Sequence, residues 1–326
     1  MKAIVQDTYG GPEVLRLEDV DMPSPQPDQV LLRVRAASVN PADWHFVRGE
    51  PYIMRVMGYG LRRPRNRIPG FDVAGIVEAV GSQVTRFTPG DAVVGHLWDG
   101  GGAFAEYACA SEDNLAAKPD ALAHDQAAAL PVAGLTALTA MRDVGRVTPG
   151  QTVLINGASG GVGTFAVQIA RTLGAHVTGV CSTPNVDLVA SLGADRVIDY
   201  TREDFTAGSD RYGVVLDNVA NHRLSALRGV VAPGGTLMPN NGDSQDRWVG
   251  AAARTSGSQL LSPFVAERIR AVQASMRRED LAALVDLVDA GIVTPVVGRS
   301  FPLSDAAAAL AHVEAGHARG KTVIIV

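Results

Sequence analysis

The chain has 326 residues, 46% hydrophobic and 19% charged, with 35 glycines, a composition that can build sizeable cores and excludes a disordered or fibrous protein. Two domains of about 100–200 residues each are the natural expectation at this length. A net charge of -5 without an extended basic run sets nucleic acid aside as a main partner.

Two cysteines, Cys109 and Cys181, stand far apart in small-residue or apolar contexts and read as core thiols in a reducing compartment. The chain reaches Asp7 before any apolar stretch of signal-peptide length and has no uninterrupted apolar stretch of about 18 residues, so a cytoplasmic protein with no membrane partner is expected.

The first third carries strand-sized apolar segments at 30–34, 73–80, 92–95 and 104–108, broken by Gly, Pro and Asp, and predicts a β-rich domain. Arg62, Arg63, Arg65 and Arg67 crowd between Gly60 and Gly70; the segment 55–67 reads as a solvated surface loop, with attraction of an anionic ligand as the competing reading. From about residue 124 short β-branched runs alternate with Ala-rich helical stretches, the pattern of βαβ units in a parallel sheet. Strands are predicted at 153–156, 176–181, 196–198, 214–217 and 236–238, and helices at 162–173 and 186–192, together a doubly wound α/β domain. The last segment, 281–326, holds two helices and two strands and is expected to return to the first domain.

At the first of these strand-to-helix junctions stands Asn156-Gly157-Ala158-Ser159-Gly160-Gly161-Val162-Gly163. A turn without bulky side chains there lets backbone amides and the positive helix end approach a pyrophosphate, while Gly163 lets helix and strand pack closely. Ala158 occupies the first glycine position of the strict dinucleotide fingerprint, so the placement between strand and helix carries the reading more than the spacing does. After the second strand come Cys181-Ser182-Thr183-Pro184-Asn185, with no acid before Asp187. An acid there would select NAD through the ribose hydroxyls; without it, Ser182, Thr183 and Asn185 can donate to a 2′-phosphate, which favours NADPH.

With these residues in view, the chain resembles the quinone oxidoreductase, or zeta-crystallin-like, branch of the medium-chain dehydrogenase/reductase superfamily. The matching stretches run from Ala37-Ser38-Val39-Asn40-Pro41-Ala42-Asp43 through Gly70-Phe71-Asp72-Val73-Ala74-Gly75, Gly102-Ala103-Phe104-Ala105-Glu106-Tyr107 and Leu130-Pro131-Val132-Ala133-Gly134-Leu135-Thr136 to Gly316-His317-Ala318-Arg319-Gly320-Lys321. The resemblance implies a GroES-like β-barrel catalytic domain over 1–123, completed by 263–326, and a Rossmann NADPH-binding domain over 124–262. It further implies a nicotinamide cleft between domains and a homodimer. By position in the family pattern, Asn40 and Thr136 fall near the nicotinamide, Gly157 to Gly163 on the pyrophosphate, and Ser182, Asn185 and Tyr200 around the adenosine phosphate. Asn218 falls near the cofactor ribose, and Lys321 faces the cleft. Pro184 stands where close relatives commonly carry Lys.

Zinc-dependent relatives use Cys in the segment matching Asn40 to Asp43 and a His-Glu pair where this chain has Phe71-Asp72. A tetrahedral site needs three or four converging ligands, so a zinc-independent enzyme is expected, and Asp72 reads as capping a turn or pairing with an arginine. Without a Lewis acid the site suits acceptors that are already electrophilic, such as quinones and α,β-unsaturated ketones. Asn40 is the candidate carbonyl donor and Tyr52 the candidate proton donor, with Tyr59, His45 and water as alternatives. A metal-free ketone or aldehyde reductase and a non-catalytic NADPH-binding or redox-sensing protein are the competing functions.

Overall fold

The computed structural model describes residues 1–98, 101–240, 248, 266–316 and 318–326. Along the chain the strands are β1 (Lys2–Val5), β2 (Arg16–Asp19), β3 (Gln29–Val39), β4 (Asp72–Val80), β5 (Ala92–His96), β6 (Tyr107–Ser111), β7 (Leu115–Ala117), β8 (Thr152–Asn156), β9 (His176–Cys181), β10 (Arg196–Asp199), β11 (Tyr212–Asp217), β12 (Val231–Pro239), β13 (Arg268–Ile269), β14 (Val297–Pro302) and β15 (Lys321–Ile325). The helices are α1 (Pro41–Arg48), α2 (His124–Ala128), α3 (Pro131–Leu138), α4 (Gly161–Thr172), α5 (Val186–Ser191), α6 (Leu224–Gly229), α7 (Arg278–Asp289) and α8 (Ala306–Glu314).

They form two compact units, one of Met1–Leu135 with Met276–Val326 and one of Thr136–Ser275. The sequence places the first domain change just ahead of α2, but α2 packs against β3 and β4 and so stays with the first unit. The second expected change, between residues 262 and 263, lies outside the described residues.

The first unit is organised around β3. Its early half pairs with β6, its late half with β15, and its other side with β4, giving the order β14-β15-β3-β4-β5-β7. The predicted strand over 30–34 is only the first part of this element. Arg33 and Arg35 alternate outward, but Ala36 to Val39 are buried without alternation, so the period-two signal fades where both faces are covered. The core beneath is built from Leu32, Val34, Val77, Phe104, Leu115 and Ile324, with Ala306, Ala309 and Leu310 of α8 packed onto it.

The strand expected at 104–108 is displaced along the chain. Pairing with β3 begins at Tyr107, while Phe104 is fully buried and Ala105 bridges to Ala3. Gly70, at φ 99°, makes room for Phe104: a Cβ there would stand 2.4 Å from the ring.

The second unit is a parallel sheet of order β10-β9-β8-β11-β12-β13, with Leu154, Val180, Val215, Leu237 and Phe205 among its core residues. Strand order reverses between β8 and β11, the switch point at whose carboxyl edge ligands bind in doubly wound sheets. Phe104→Ala should cost the protein about 3–5 kcal/mol, read as a lower denaturant midpoint with an unchanged slope in equilibrium unfolding.

Candidate active site

In the first unit, three neighbouring strands deliver polar side chains to one end of the sheet. Asn40 follows the last residue of β3, Asp72 opens β4 opposite Ser38, and Lys321 opens β15 next to Thr322, the partner of Val39. Asn40, Asp72 and Lys321 are 2%, 0% and 3% exposed, so each must find partners inside the protein.

Asp72 accepts four bonds. Its Oδ2 takes the hydroxyl of Ser38 at 2.6 Å, Nδ2 of Asn40 at 2.9 Å and Nζ of Lys321 at 3.3 Å, and its Oδ1 takes the amide of Val132 on α3 at 3.0 Å. Lys321 Nζ also donates to Asn40 Oδ1 at 2.5 Å. The expectation that Asp72 caps a turn or pairs with an arginine is corrected here: its cation is Lys321, brought from far along the chain by the β15–β3 pairing.

Asp43 lies beside this group. Its Oδ2 accepts the backbone amide of Asn40 at 2.7 Å, and its Oδ1 is buried with no partner among the described residues. Burial pushes the carboxyl up to about 7, with nearby Asp72 adding to the rise and the Asn40 amide and Lys321 opposing it. The spacing Asn40-x-x-Asp43 at a helix start is visible in the sequence, but nothing local reveals that the acid is enclosed.

Tyr52 belongs to another group. The guanidinium of Arg55 lies 4.7 Å from its ring and 4.3 Å from that of Tyr9, and Tyr9 in turn donates to the carbonyls of Tyr59 and Gly60. His45 stacks on Trp44, with Nδ1 2.9 Å from the Glu50 carbonyl oxygen. Arg62, Arg63 and Arg65 are exposed, whereas Arg67 pairs with Asp7.

In the second unit the glycine turn sits at the carboxyl end of β8. Gly157 takes φ 79°, and a Cβ on Gly163 would stand 2.1 Å from the Gly157 carbonyl oxygen, so the turn and α4 can approach only because both are glycine. The amides of Gly157 and Ala158 both donate to Val180 O, pinning the turn to β9. Gly160 stands at the N-cap of α4 with no side-chain cap, and the first intrahelical bond is Thr164 to Gly160. The first-turn amides of Gly161, Val162 and Gly163, beside half-buried Ser159, are therefore the ones open to an anion.

Around this turn the strand ends carry polar residues, of which Asn218 is among the expected site residues and Asn156 and Asp217 are not. Asn156 Nδ2 donates to Asp217 Oδ1 at 2.8 Å and to Asn221 Oδ1 at 3.0 Å, lacing β8 to β11 across the switch point. Asn218 accepts from Asn240 at 2.7 Å, while its own Nδ2 is buried with no partner among the described residues. A buried donor left open beside the glycine turn fits a polar ligand group there. The signal for Asn156 and Asp217 was there: each is a polar residue closing an apolar strand.

At the ends of β9 and β10, Asn185 donates to Ser182 at 3.1 Å, and the Tyr200 amide donates to Cys181 O. Thr183 is committed to Asp199 at 2.6 Å. That bond above all holds the Asp199 carboxyl below its ordinary range, and Arg202 pairs with the same carboxylate at 3.5 Å. This cluster thus holds a guanidinium two residues beyond Tyr200, outside the turn at 181–185 where the sequence shows no Lys or Arg. Thr136 lies nearly buried on α3. Burial pushes the Cys181 thiol up to about 11, in keeping with a core thiol. Cys109 is only half-buried.

Among the described residues no three His, Cys, Asp or Glu side chains gather as a metal site would require, and none of their helices is long and apolar enough to cross a membrane.

The parallel sheet with its glycine turn and the mixed sheet that carries Asn40, Asp72 and Lys321 define an oxidoreductase of the medium-chain dehydrogenase/reductase type. The alcohol dehydrogenase GroES-like domain family matches residues 26–120, and the zinc-binding dehydrogenase family matches residues 192–324. The chain is 35% identical to the chloroplastic quinone-oxidoreductase QR1 of Triphysaria versicolor, over 99% of this chain and 98% of that protein. It is 37% identical to the mitochondrial NAD(P)H oxidoreductase RTN4IP1 of Bos taurus, over 99% and 89% respectively. Among solved structures, the quinone oxidoreductase from Coxiella burnetii matches with a TM-score of 0.87 at 32% identity, over 100% of this chain and 99% of that one. The Escherichia coli quinone oxidoreductase complexed with NADPH matches with a TM-score of 0.84 at 25% identity, over the whole of both chains. This chain belongs to the quinone oxidoreductase branch of the medium-chain dehydrogenase/reductase superfamily and is an oxidoreductase.

Because burial holds Asp43 above its ordinary carboxyl value of 3.8, folding takes up a proton there. Its contribution is complete below about pH 4 and is lost as pH rises through about 7. Asp43→Asn should therefore flatten the fall in melting temperature between about pH 4 and 7, as calorimetry across that range would record.

Proposed function

We propose that the protein is a zinc-independent, NADPH-dependent reductase that passes hydride to quinones or α,β-unsaturated carbonyl compounds. The observation that carries the cofactor is the open first turn of α4 at the sheet's switch point, with Asn218, whose Nδ2 has no partner among the described residues, next to Gly157. Bound NADPH supplies the hydride. Gly161, Val162 and Gly163 offer their amides to the pyrophosphate, with Gly157, Ala158, Ser159 and Gly160 shaping the backbone that approaches it. Asn218 offers its amide to the ribose, and Ser182, Asn185 and Tyr200 frame the adenosine phosphate. Arg202 adds the charge-assisted contact that favours a 2′-phosphate. Thr136 is assigned to the nicotinamide side of the site.

Zinc independence is supported by the state of Asp72. Its carboxylate already serves four donors, including an ammonium, and no partner ligands converge on it among the described residues. A simple ketone then meets no Lewis acid, whereas an enone or quinone spreads the incoming charge itself. Asn40 holds the acceptor's carbonyl oxygen through its amide, and Tyr52 is the proposed proton source. The protein works as a homodimer in the cytoplasm on this reading.

An acceptor screen with NADPH and NADH side by side tests the proposal. NADPH oxidation should be fast with 1,4-benzoquinone and enones and slow with saturated ketones. Equal turnover of a saturated ketone would instead make the protein a ketone reductase, and tight NADPH binding with no turnover of any acceptor would overturn the reading. Arg202→Ala should narrow the preference for NADPH over NADH by about tenfold, and Asn218→Ala should weaken NADPH binding by about as much, seen in fluorescence titration.

A further inference from the structure

Asn40 stands at the N-cap of α1, where an asparagine side chain ordinarily accepts a hydrogen bond from the first turn of the helix. Here it makes no cap bond. The Asn40 amide donates to Asp43, and Pro41 at the first helical position needs no acceptor. The side chain is turned away to Asp72 and Lys321, so a capping contact is given up for a buried ionic one.

The chemistry of those two partners decides which way the amide faces. An ammonium can only donate and a carboxylate can only accept. Lys321 Nζ lies 2.5 Å from Asn40 Oδ1, and Asp72 Oδ2 lies 2.9 Å from Asn40 Nδ2. Rotating the amide by half a turn would set its NH2 group against the ammonium and its oxygen against the carboxylate, replacing two charge-assisted bonds by two repulsions. Ser38 and Val132 occupy further acceptor positions of Asp72, so the carboxylate is itself held. One hydrogen on Asn40 Nδ2 then has no partner among the described residues. It is also polarised, because the ammonium draws electron density towards Oδ1.

We propose that the buried Asp72–Lys321 pair is a positioning device that locks the orientation of the Asn40 amide and leaves one Nδ2 hydrogen as its single donor to the carbonyl oxygen of the acceptor. Asp72 and Lys321 are positioning residues in this scheme, acting through Asn40. The inference rests on the reductase reading above for the identity of the acceptor.

The competing account is a brace that only ties β15, β3 and β4 together, and kinetics of the full-length protein separate the two. Asp72→Asn should lower kcat with 1,4-benzoquinone by about 100-fold, with KM and NADPH affinity changed less than about twofold. On an Asn40→Ala background the same substitution should cost less than about twofold, since the group it positions is gone. Asp72→Asn or Lys321→Met alone strands a buried charge and lowers stability. The double variant Asp72→Asn with Lys321→Met removes both charges and should recover melting temperature while kcat stays low. Recovery of kcat together with stability, or a full additive loss on the Asn40→Ala background, would overturn the proposal. A further readout does not need turnover. The Asn40 side-chain amide resonance, assigned by its loss in Asn40→Ala, should be protected from hydrogen exchange in the unsubstituted protein and unprotected in Asp72→Asn. If the unsubstituted protein reduces no acceptor, the functional reading fails and this resonance still decides the orientation; an unprotected signal there would sink the lock.

Discussion

The polar cluster at the end of the first unit's sheet hangs on the carboxylate of Asp72. This carboxylate gathers donors from Ser38 and Asn40 at the end of β3, from Val132 on α3 and from Lys321 on β15, three stretches of the chain that are remote in sequence. A carboxylate and an ammonium cannot both be taken out of water unless they meet each other and fill their remaining hydrogen-bonding capacity. Lys321 and Asp72 do so, and removing one partner of such a buried pair costs about 3–5 kcal/mol. The strand pairing β15-β3-β4 and the polar cluster therefore depend on each other: the sheet delivers the charges, and the charges penalise any slip in its register.

The second unit solves a different problem with a different material. An anion can be held by main-chain amides provided that no side chain intervenes, and Gly157 and Gly163 let the turn and α4 pack closely enough to present theirs. The two amides given to Val180 fix the shape of the turn in advance, so little rearrangement is needed on binding. On the proposed reading, side chains are added to the backbone cradle at Asn218, Ser182, Asn185 and Arg202. Backbone supplies grip in one unit, and charged side chains supply direction in the other.

Much of this was legible in the chain. Alternation of β-branched and Ala-rich segments located β8, β9, α4 and α5 within a residue or two, because parallel strands and their helices carry strong local periodicity. The glycine turn was legible for the same reason. β3 was half seen, since its second part is buried on both faces and loses its alternation, and the strand after Phe104 was misplaced because Phe104 and Ala105 are apolar without belonging to it. α1 escaped entirely, although Asn40-Pro41 is a helix start in plain view. Lys321 and Asn40 were both named from resemblance, but their direct bond was not foreseen, and Asp72 was assigned the wrong kind of partner. Contacts of that sort depend on which strands pair, and no local pattern encodes the pairing of β15 with β3.

The discontinuous construction of the first unit has a consequence during synthesis. β3 and β4 emerge early from the ribosome, whereas Lys321 follows after the whole parallel sheet has been made. Until it arrives, Asp72 has no cation to accompany it into the interior, and water must stay where the ammonium will sit. A nascent or truncated chain that stops short of β15 thus carries an open seam beside β3 and an acid that resists enclosure. Completion of the first unit's sheet waits on one late lysine, which makes completion of the chain a condition for forming the site at all.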